Sequence, residues 1–129
     1  MFEPIAYVDH SQVREGKFDE LKKAIAELAE FVEANEPQLI AYNVYFSEDR
    51  ACMSIVHIHS DSASLEFHMK VAGPLFAKFA EFVKLSTIDI YGRPGDDLVQ
   101  QVRRKAHMLG NGTVQVHGHH AGFARFGNP

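Results

Sequence analysis

Two adjacent strands that are apolar on both alternations constrain this chain more than any other feature. Leu39 to Phe46 and Ala51 to His59 read as strands joined by the polar turn Ser47-Glu48-Asp49-Arg50, short enough for an antiparallel hairpin. In the first, Ile40, Tyr42, Val44 and Phe46 alternate with Ala41, Asn43 and Tyr45; in the second, Met53 and Ile55 alternate with Cys52, Val56 and Ile58. Successive strand residues point to opposite faces, so a sheet built on this hairpin has little polar surface to offer water. It needs a covering layer on each side.

The chain itself supplies one layer. Phe18, Leu21, Ile25, Leu28 and Val32 recur at steps of three and four, with Asp19, Lys22, Lys23, Glu27, Glu30 and Glu33 opposite, which predicts a long helix from Lys17 to near Asn35, stopped by Pro37. Ser60-Asp61-Ser62 offers N-caps for a second helix to about Val71. Gly73-Pro74 breaks it before a further helical piece, Leu75 to Leu85, whose Leu75, Phe76, Phe79, Phe82 and Val83 predict burial on two sides. A first strand is expected at Ile5 to Asp9, and a fourth where Ile88 and Ile90 alternate with Thr87, Asp89 and Tyr91 before Gly92-Arg93-Pro94. The order is that of an α+β ferredoxin-like βαββαβ fold with a four-stranded antiparallel sheet. Beyond it, Asp96 is expected to cap a third helix carrying Leu98, Val102, Ala106 and Leu109 on one face, with Arg103, Arg104 and Lys105 near its negative end, and Thr113 to His117 reads as a further strand. Residues 1–94 are thus expected to form the ferredoxin-like unit, and 95–129 a C-terminal helix and strand extension of the same domain.

The second layer is expected to be another copy of the chain. With both helices on one face, two exposed apolar sheets pack face to face about a two-fold axis, giving a homodimer and a dimeric α/β barrel. A cavity between sheet and helices is the expected ligand site. A length of 129 residues suffices for one domain with its own core. Thirteen basic against seventeen acidic residues, a formal charge of −4, create no general field toward nucleic acid or anionic lipid, so neither nucleic acid nor membrane is expected as a partner. The start lacks signal-peptide features and no apolar run is long enough to cross a bilayer, which makes a cytoplasmic location the expectation. The single cysteine, Cys52, forms no internal disulfide and, within an apolar run, is expected to be buried and inert.

His68 is the best candidate for chemistry. Leu65 lies three residues before it and Ala72 four after, which puts its ring at the edge of the buried stripe, and an imidazole is suited to accept a phenolic or enolic proton near neutral pH. His57 and His59 share one strand face with Met53 and Ile55; they are either ligand-binding and proton-transfer groups or solvated and interface histidines. Tyr7, Asn43, Asp89 and Tyr91 can offer hydroxyl, amide and carboxylate contacts to an aromatic ligand, and Phe76 and Phe79 apolar walls. His107, His117, His119 and His120 make the C-terminal stretch rich in histidine, a composition that binds metal in some proteins and is merely solvated in others. No Ser-His-Asp or Cys-His nucleophile pattern and no phosphate-cradling loop is present.

The run from the long helix through Glu36-Pro37 and Ile40-Ala41-Tyr42-Asn43-Val44-Tyr45 to Ser62-Ala63-Ser64-Leu65-Glu66-Phe67-His68 and Phe76-Ala77-Lys78-Phe79 resembles the antibiotic-biosynthesis-monooxygenase family of dimeric α/β-barrel proteins, over about residues 4 to 93. The resemblance implies a homodimer and, for many members, oxidation of quinols or aromatic polyketides by molecular oxygen with no metal or flavin cofactor. It also implies a role for a helix histidine at His68. The chain has no tryptophan, whereas family members often carry one in or just after the third strand. The expected function is a cofactor-independent monooxygenase acting on a small aromatic, quinol or polyketide-like molecule. The alternatives are a non-catalytic small-molecule-binding or stress-associated dimer of the same fold, and a metal-dependent protein using the strand or tail histidines.

Overall fold

A computed structural model describes residues 3–126. The hairpin of the sequence is β2 (Ala41–Phe46) and β3 (Cys52–His59), paired antiparallel with Tyr42 opposite His57 and Phe46 opposite Met53. β3 pairs on its other side with β1 (Ile5–Val13), and β1 with β4 (Val83–Tyr91), both antiparallel. The order β2-β3-β1-β4 is that of the ferredoxin-like arrangement.

The sheet does not stop at four strands. β5 (Thr113–His117) joins its edge parallel to β4, so the sheet is five-stranded and mixed rather than purely antiparallel. Parallel neighbours require a crossover, and α3 (Asp96–Met108) supplies it. Two glycines permit the return: Gly110 has φ +128°, and a Cβ on Gly112 would stand 2.9 Å from the Leu85 carbonyl oxygen, so the chain passes β4 closer than any side chain allows. Helix α3 begins after Gly95, with Asp96 and Asp97 in its first turn, so Asp96 opens the helix and does not cap it.

Helix α1 (Phe18–Asn35) buries Leu21, Ile25, Leu28 and Val32. Helix α2 (Ser62–Ala72) starts at Asp61, whose carboxylate accepts the Ser64 N–H at 2.9 Å. The helical piece expected over Leu75 to Leu85 is instead two 3₁₀ turns, Gly73–Leu75 and Ala77–Glu81, and Val83 and Leu85 already belong to β4. The turns are closed by the N–H groups of Phe76, Phe79 and Phe82 on the carbonyls of Gly73, Phe76 and Phe79. With three residues per turn, this geometry stacks the phenylalanines along one side. The first strand is longer than expected because it runs past a register shift at His10/Ser11 to Val13.

All three helices cover the sheet face that carries Ile5, Tyr7, Met53, Ile55, Ile88 and Ile90. The opposite face is mixed: half-buried Ala6, Val8, Val56 and Ile58 are surrounded by His10, Ser54, Asn43, Asp89 and Gln115. Cys52, at the turn end of β3, is exposed, contrary to the buried position expected of it. The N-terminal start and the last tail residues, Met1, Phe2 and Gly127 to Pro129, lie outside the described residues. Among the described residues no helix is long and apolar enough to cross a membrane.

Candidate functional site

The helix-covered face is not wholly apolar. Where β1, β2 and β3 run under α2 and the end of α3, it buries Tyr7, Asp9, His57, His59, His68, Glu36, Ser64 and Lys105 together. Buried polar groups cost free energy unless hydrogen-bonded, so this concentration must be accounted for group by group.

Glu36 follows the last residue of α1. Pro37 disfavours a helical Glu36, whose backbone adopts φ −128° and ψ 70°, and the carboxylate is buried. It meets His68 from α2: Glu36 Oε2 and Oε1 lie 2.9 and 3.0 Å from His68 Nδ1. A carboxylate accepts, so Nδ1 carries the proton and Nε2 presents a lone pair. Burial lowers the His68 pKa from its ordinary value although Glu36 raises it, so at neutral pH the ring is an uncharged base oriented by a carboxylate.

His57 and His59 leave β3 on the same face. His57 Nδ1 is 3.2 Å from His59 Nε2, and His59 Nδ1 is 2.8 Å from Ser64 Oγ. Burial drives both pKa values down, with the nearby His68 adding to the effect; His57 falls well below its ordinary value and His59 to about 3. The His57 ring stands 4.7 Å from that of His68, 4.3 Å from Tyr7 and 4.5 Å from Tyr42. Two ring nitrogens in this cluster, His57 Nε2 and His68 Nε2, are buried without a hydrogen-bond partner among the described residues. An unsatisfied buried polar atom costs about 1–3 kcal/mol, so these two nitrogens are the positions in the cluster best suited to meet a bound group.

Lys105 enters from the last turn of α3. Its ammonium donates to Tyr7 Oη at 2.7 Å, lies 3.7 Å from Asp9 Oδ2 and sits 4.2 Å from the centre of the Phe76 ring. Burial pushes Asp9 up and Lys105 down, each toward its neutral form, while each partly holds the other charged. Burial, followed by the Asp9 charge, raises the Tyr7 phenol well above its usual range, so it stays protonated. Beside this group lies a small cavity of about 30 Å³ walled by Asp9, Tyr42, Phe76, Phe79 and Lys105 among others. Tyr42 and Glu36 also line an outer groove of about 420 Å³ with Pro37, Leu39 and Ile40, so the buried centre borders that groove at two residues.

The expected site residues therefore divide. Tyr7, His57, His59, His68, Phe76 and Phe79 share the buried, helix-covered side. Asn43, Asp89 and Tyr91 sit on the opposite sheet face and are not brought to them; there Asp89 Oδ1 pairs with His117 Nε2 at 2.8 Å and Tyr91 stacks on the His117 ring. Alternation separates these sets once the β1–β3 and β1–β4 registers are known, but register is not readable from one strand. Glu36, Asp9, Tyr42, Ser64 and Lys105 belong to the centre without being expected there from the sequence. Glu36 alone carries a local signal, a carboxylate held at a helix end by the proline after it. His119 and His120 are exposed, and no group of three or more His, Cys, Asp or Glu side chains is placed to hold a metal among the described residues.

No protein-family model and no curated protein matches the chain. Solved structures do. MupZ from Pseudomonas fluorescens superposes with a TM-score of 0.74 at 17% identity, over 97% of this chain and 91% of that one. SnoaB, a cofactor-independent oxygenase from Streptomyces nogalater, gives 0.60 at 14% identity, over 72% of this chain and 95% of its own. A conserved protein from Methanosarcina mazei gives 0.62 at 23% identity, over 73% and 95%. At these identities the likeness is one of fold: the chain has the ferredoxin-like architecture of antibiotic-biosynthesis-monooxygenase-like proteins.

Proposed function

We propose that this chain is a cofactor-independent oxygenase that deprotonates a small aromatic, quinol or polyketide-like substrate and lets the resulting anion reduce molecular oxygen. The observation that carries the reading is the His68–Glu36 pair at 2.9 Å, a buried neutral imidazole whose second nitrogen has no partner among the described residues. A base of this kind accepts a phenolic, enolic or acidic C–H proton, and the Lys105 ammonium hydrogen-bonded to Tyr7 gives the new anion a nearby positive charge. The SnoaB fold likeness supports the same chemistry. The outer groove that Tyr42 and Glu36 line is the approach proposed for the substrate. The half-buried apolar centre of the open sheet face supports a homodimer closed across it, and light scattering should return twice the chain mass.

A second reading, a small-molecule-binding protein without turnover, is favoured by the outer groove of about 420 Å³ along Glu36, Pro37, Leu39, Ile40 and Tyr42, which has room for a ligand outside the buried histidines. Oxygen uptake with a panel of hydroquinones and anthrones separates the two. The oxygenase reading expects uptake by the wild type and a loss of roughly 100-fold or more in His68→Ala. Uptake that is absent throughout, or unchanged in the variant, refutes it; saturable binding without uptake supports the second reading.

A further inference from the structure

Three buried polar groups have no part in the base step: His57, His59 and Ser64. They form a line. Ser64 Oγ lies 2.8 Å from His59 Nδ1, and His59 Nε2 lies 3.2 Å from His57 Nδ1. The line ends at His57 Nε2, buried and unpartnered among the described residues, on a ring 4.7 Å from that of His68. Its other end is in the first turn of α2, where the chain neighbours of Ser64, Asp61 before it and Ala63 next to it, are exposed. We propose that Ser64, His59 and His57 are a proton relay that protonates the substrate while His68 deprotonates it, so that the site is a matched acid and base.

A hydroxyl and two neutral imidazoles in series allow two polarities. In one, Ser64 O–H donates to His59 Nδ1, His59 Nε2–H donates to His57 Nδ1, and His57 Nε2–H is left as a donor in the centre. In the other every bond is reversed, and His57 presents a bare lone pair beside the bare lone pair of His68. Glu36 fixes the His68 lone pair at Nε2. With the two ring centres 4.7 Å apart in a low-dielectric interior, a donor on His57 complements the His68 lone pair better than a second lone pair would. The relay uses the first polarity, which makes His57 the acid. When His57 Nε2 gives up its proton, His57 Nδ1 takes the one on His59, His59 Nδ1 takes that on Ser64, and Ser64 is recharged from solvent at the start of α2 in the same movement.

The inference rests on the oxygenase reading, and there it answers a need that a lone base leaves open. For an acidic aromatic CH₂, His68 removes one C–H proton; the carbanion passes electrons to O₂ and forms a C–O bond; His57 protonates the distal peroxide oxygen. His57 Nε2, left bare by that transfer, removes the remaining C–H proton as the O–O bond breaks, which runs the relay back, and the departing hydroxide takes the proton held by His68. His57 and His68 both return to their starting protonation, and R₂CH₂ plus O₂ becomes R₂C=O plus H₂O.

Nitrogen-15 NMR of labelled histidine tests the relay without any substrate. The expected spectrum has His57 and His59 as Nε2–H tautomers and His68 as the Nδ1–H tautomer. Ser64→Ala should shift the His59 and His57 resonances, and Ser64→Thr should leave them near the wild type; the cap of α2 uses the Ser64 backbone N–H, which both variants keep. In turnover, Ser64→Ala should lower kcat about 10-fold or more with little change in KM, and Ser64→Thr should recover it. An Nδ1–H tautomer at His57, identical His57 signals in wild type and Ser64→Ala, or an unchanged kcat overturns the relay. Because the spectra need no reaction, a wild type that never consumes oxygen removes the oxygenase reading alone and leaves the relay to be decided by the tautomers.

Discussion

Mild acid should unfold this protein, and the buried histidines set the size of the effect. A histidine whose folded pKa is depressed contributes stability that is complete above its unfolded pKa and is lost as pH falls toward the folded value. His59 drops to about 3 in the fold, against about 6.5 in an unfolded chain. Keeping it neutral therefore costs about 1.4 kcal/mol at pH 5.5 and about 2.7 kcal/mol at pH 4.5 relative to neutral pH. His57 is pushed well below its ordinary value by the same burial and adds to the loss, as does His68 in the same direction. Asp9 opposes the trend: its raised pKa contributes stability at low pH that is lost as pH rises through the folded value, but it is one group against three. A small domain has about 5–15 kcal/mol of stability, so a loss of about 2.7 kcal/mol from His59 by pH 4.5, with His57 and His68 added, takes a large part of it and puts the acid transition in the mildly acid range. Urea titrations followed by circular dichroism across this range measure the slope. His59→Asn should flatten it by about 1.4 kcal/mol per pH unit over the window where His59 would otherwise titrate. Stability constant to within about 1 kcal/mol between pH 7.5 and pH 5.5 would refute the claim that these rings are buried neutral.

Lys105→Met should cost about 3–5 kcal/mol in chemical denaturation because it leaves Asp9 buried without its counter-charge, and adding Asp9→Leu should restore much of the loss; equal stability of the single and double variants would contradict the pairing. Gly112→Ala places a Cβ 2.9 Å from the Leu85 carbonyl and 3.1 Å from that of Ser86, neither of which can turn aside, so a loss of about 1–3 kcal/mol is expected together with faster amide exchange confined to β5. Protection of Thr113 to His117 as slow in the variant as in the wild type would show that the close passage is not needed.

The periodic features are legible in the sequence because they are local. Leu21, Ile25, Leu28 and Val32 mark the buried stripe of α1 without knowledge of what they face, and the Gly73-Pro74 interruption is visible as a break in a helical pattern. The segment after the break departs from the helical expectation. Phe76, Phe79 and Phe82 fit a helical spacing nearly as well as a three-residue one, and only the closure of the i to i+3 hydrogen bonds distinguishes 3₁₀ turns from an α-helix. Val83 and Leu85 then belong to β4 because β1 pairs with them, a long-range bond that no local pattern encodes.

His68 could be chosen from its place on α2, and His57 with His59 from their shared strand face, because residue spacing alone decides both. The amino-acid order thus determined the ferredoxin-like succession of elements and which histidines share an element. It did not determine the chemistry of the centre. Glu36 reaches His68 across 32 residues and Lys105 reaches Tyr7 across 98, while Asn43, Asp89 and Tyr91, equally plausible as ligands, fall on the far side of the sheet. Those outcomes come from strand register and helix packing, since a one-residue change of register exchanges the two faces of a strand. Only the tertiary structure could turn a histidine with an ordinary pKa into a buried neutral base, because desolvation and the neighbouring carboxylate exist only once the helices close over the sheet.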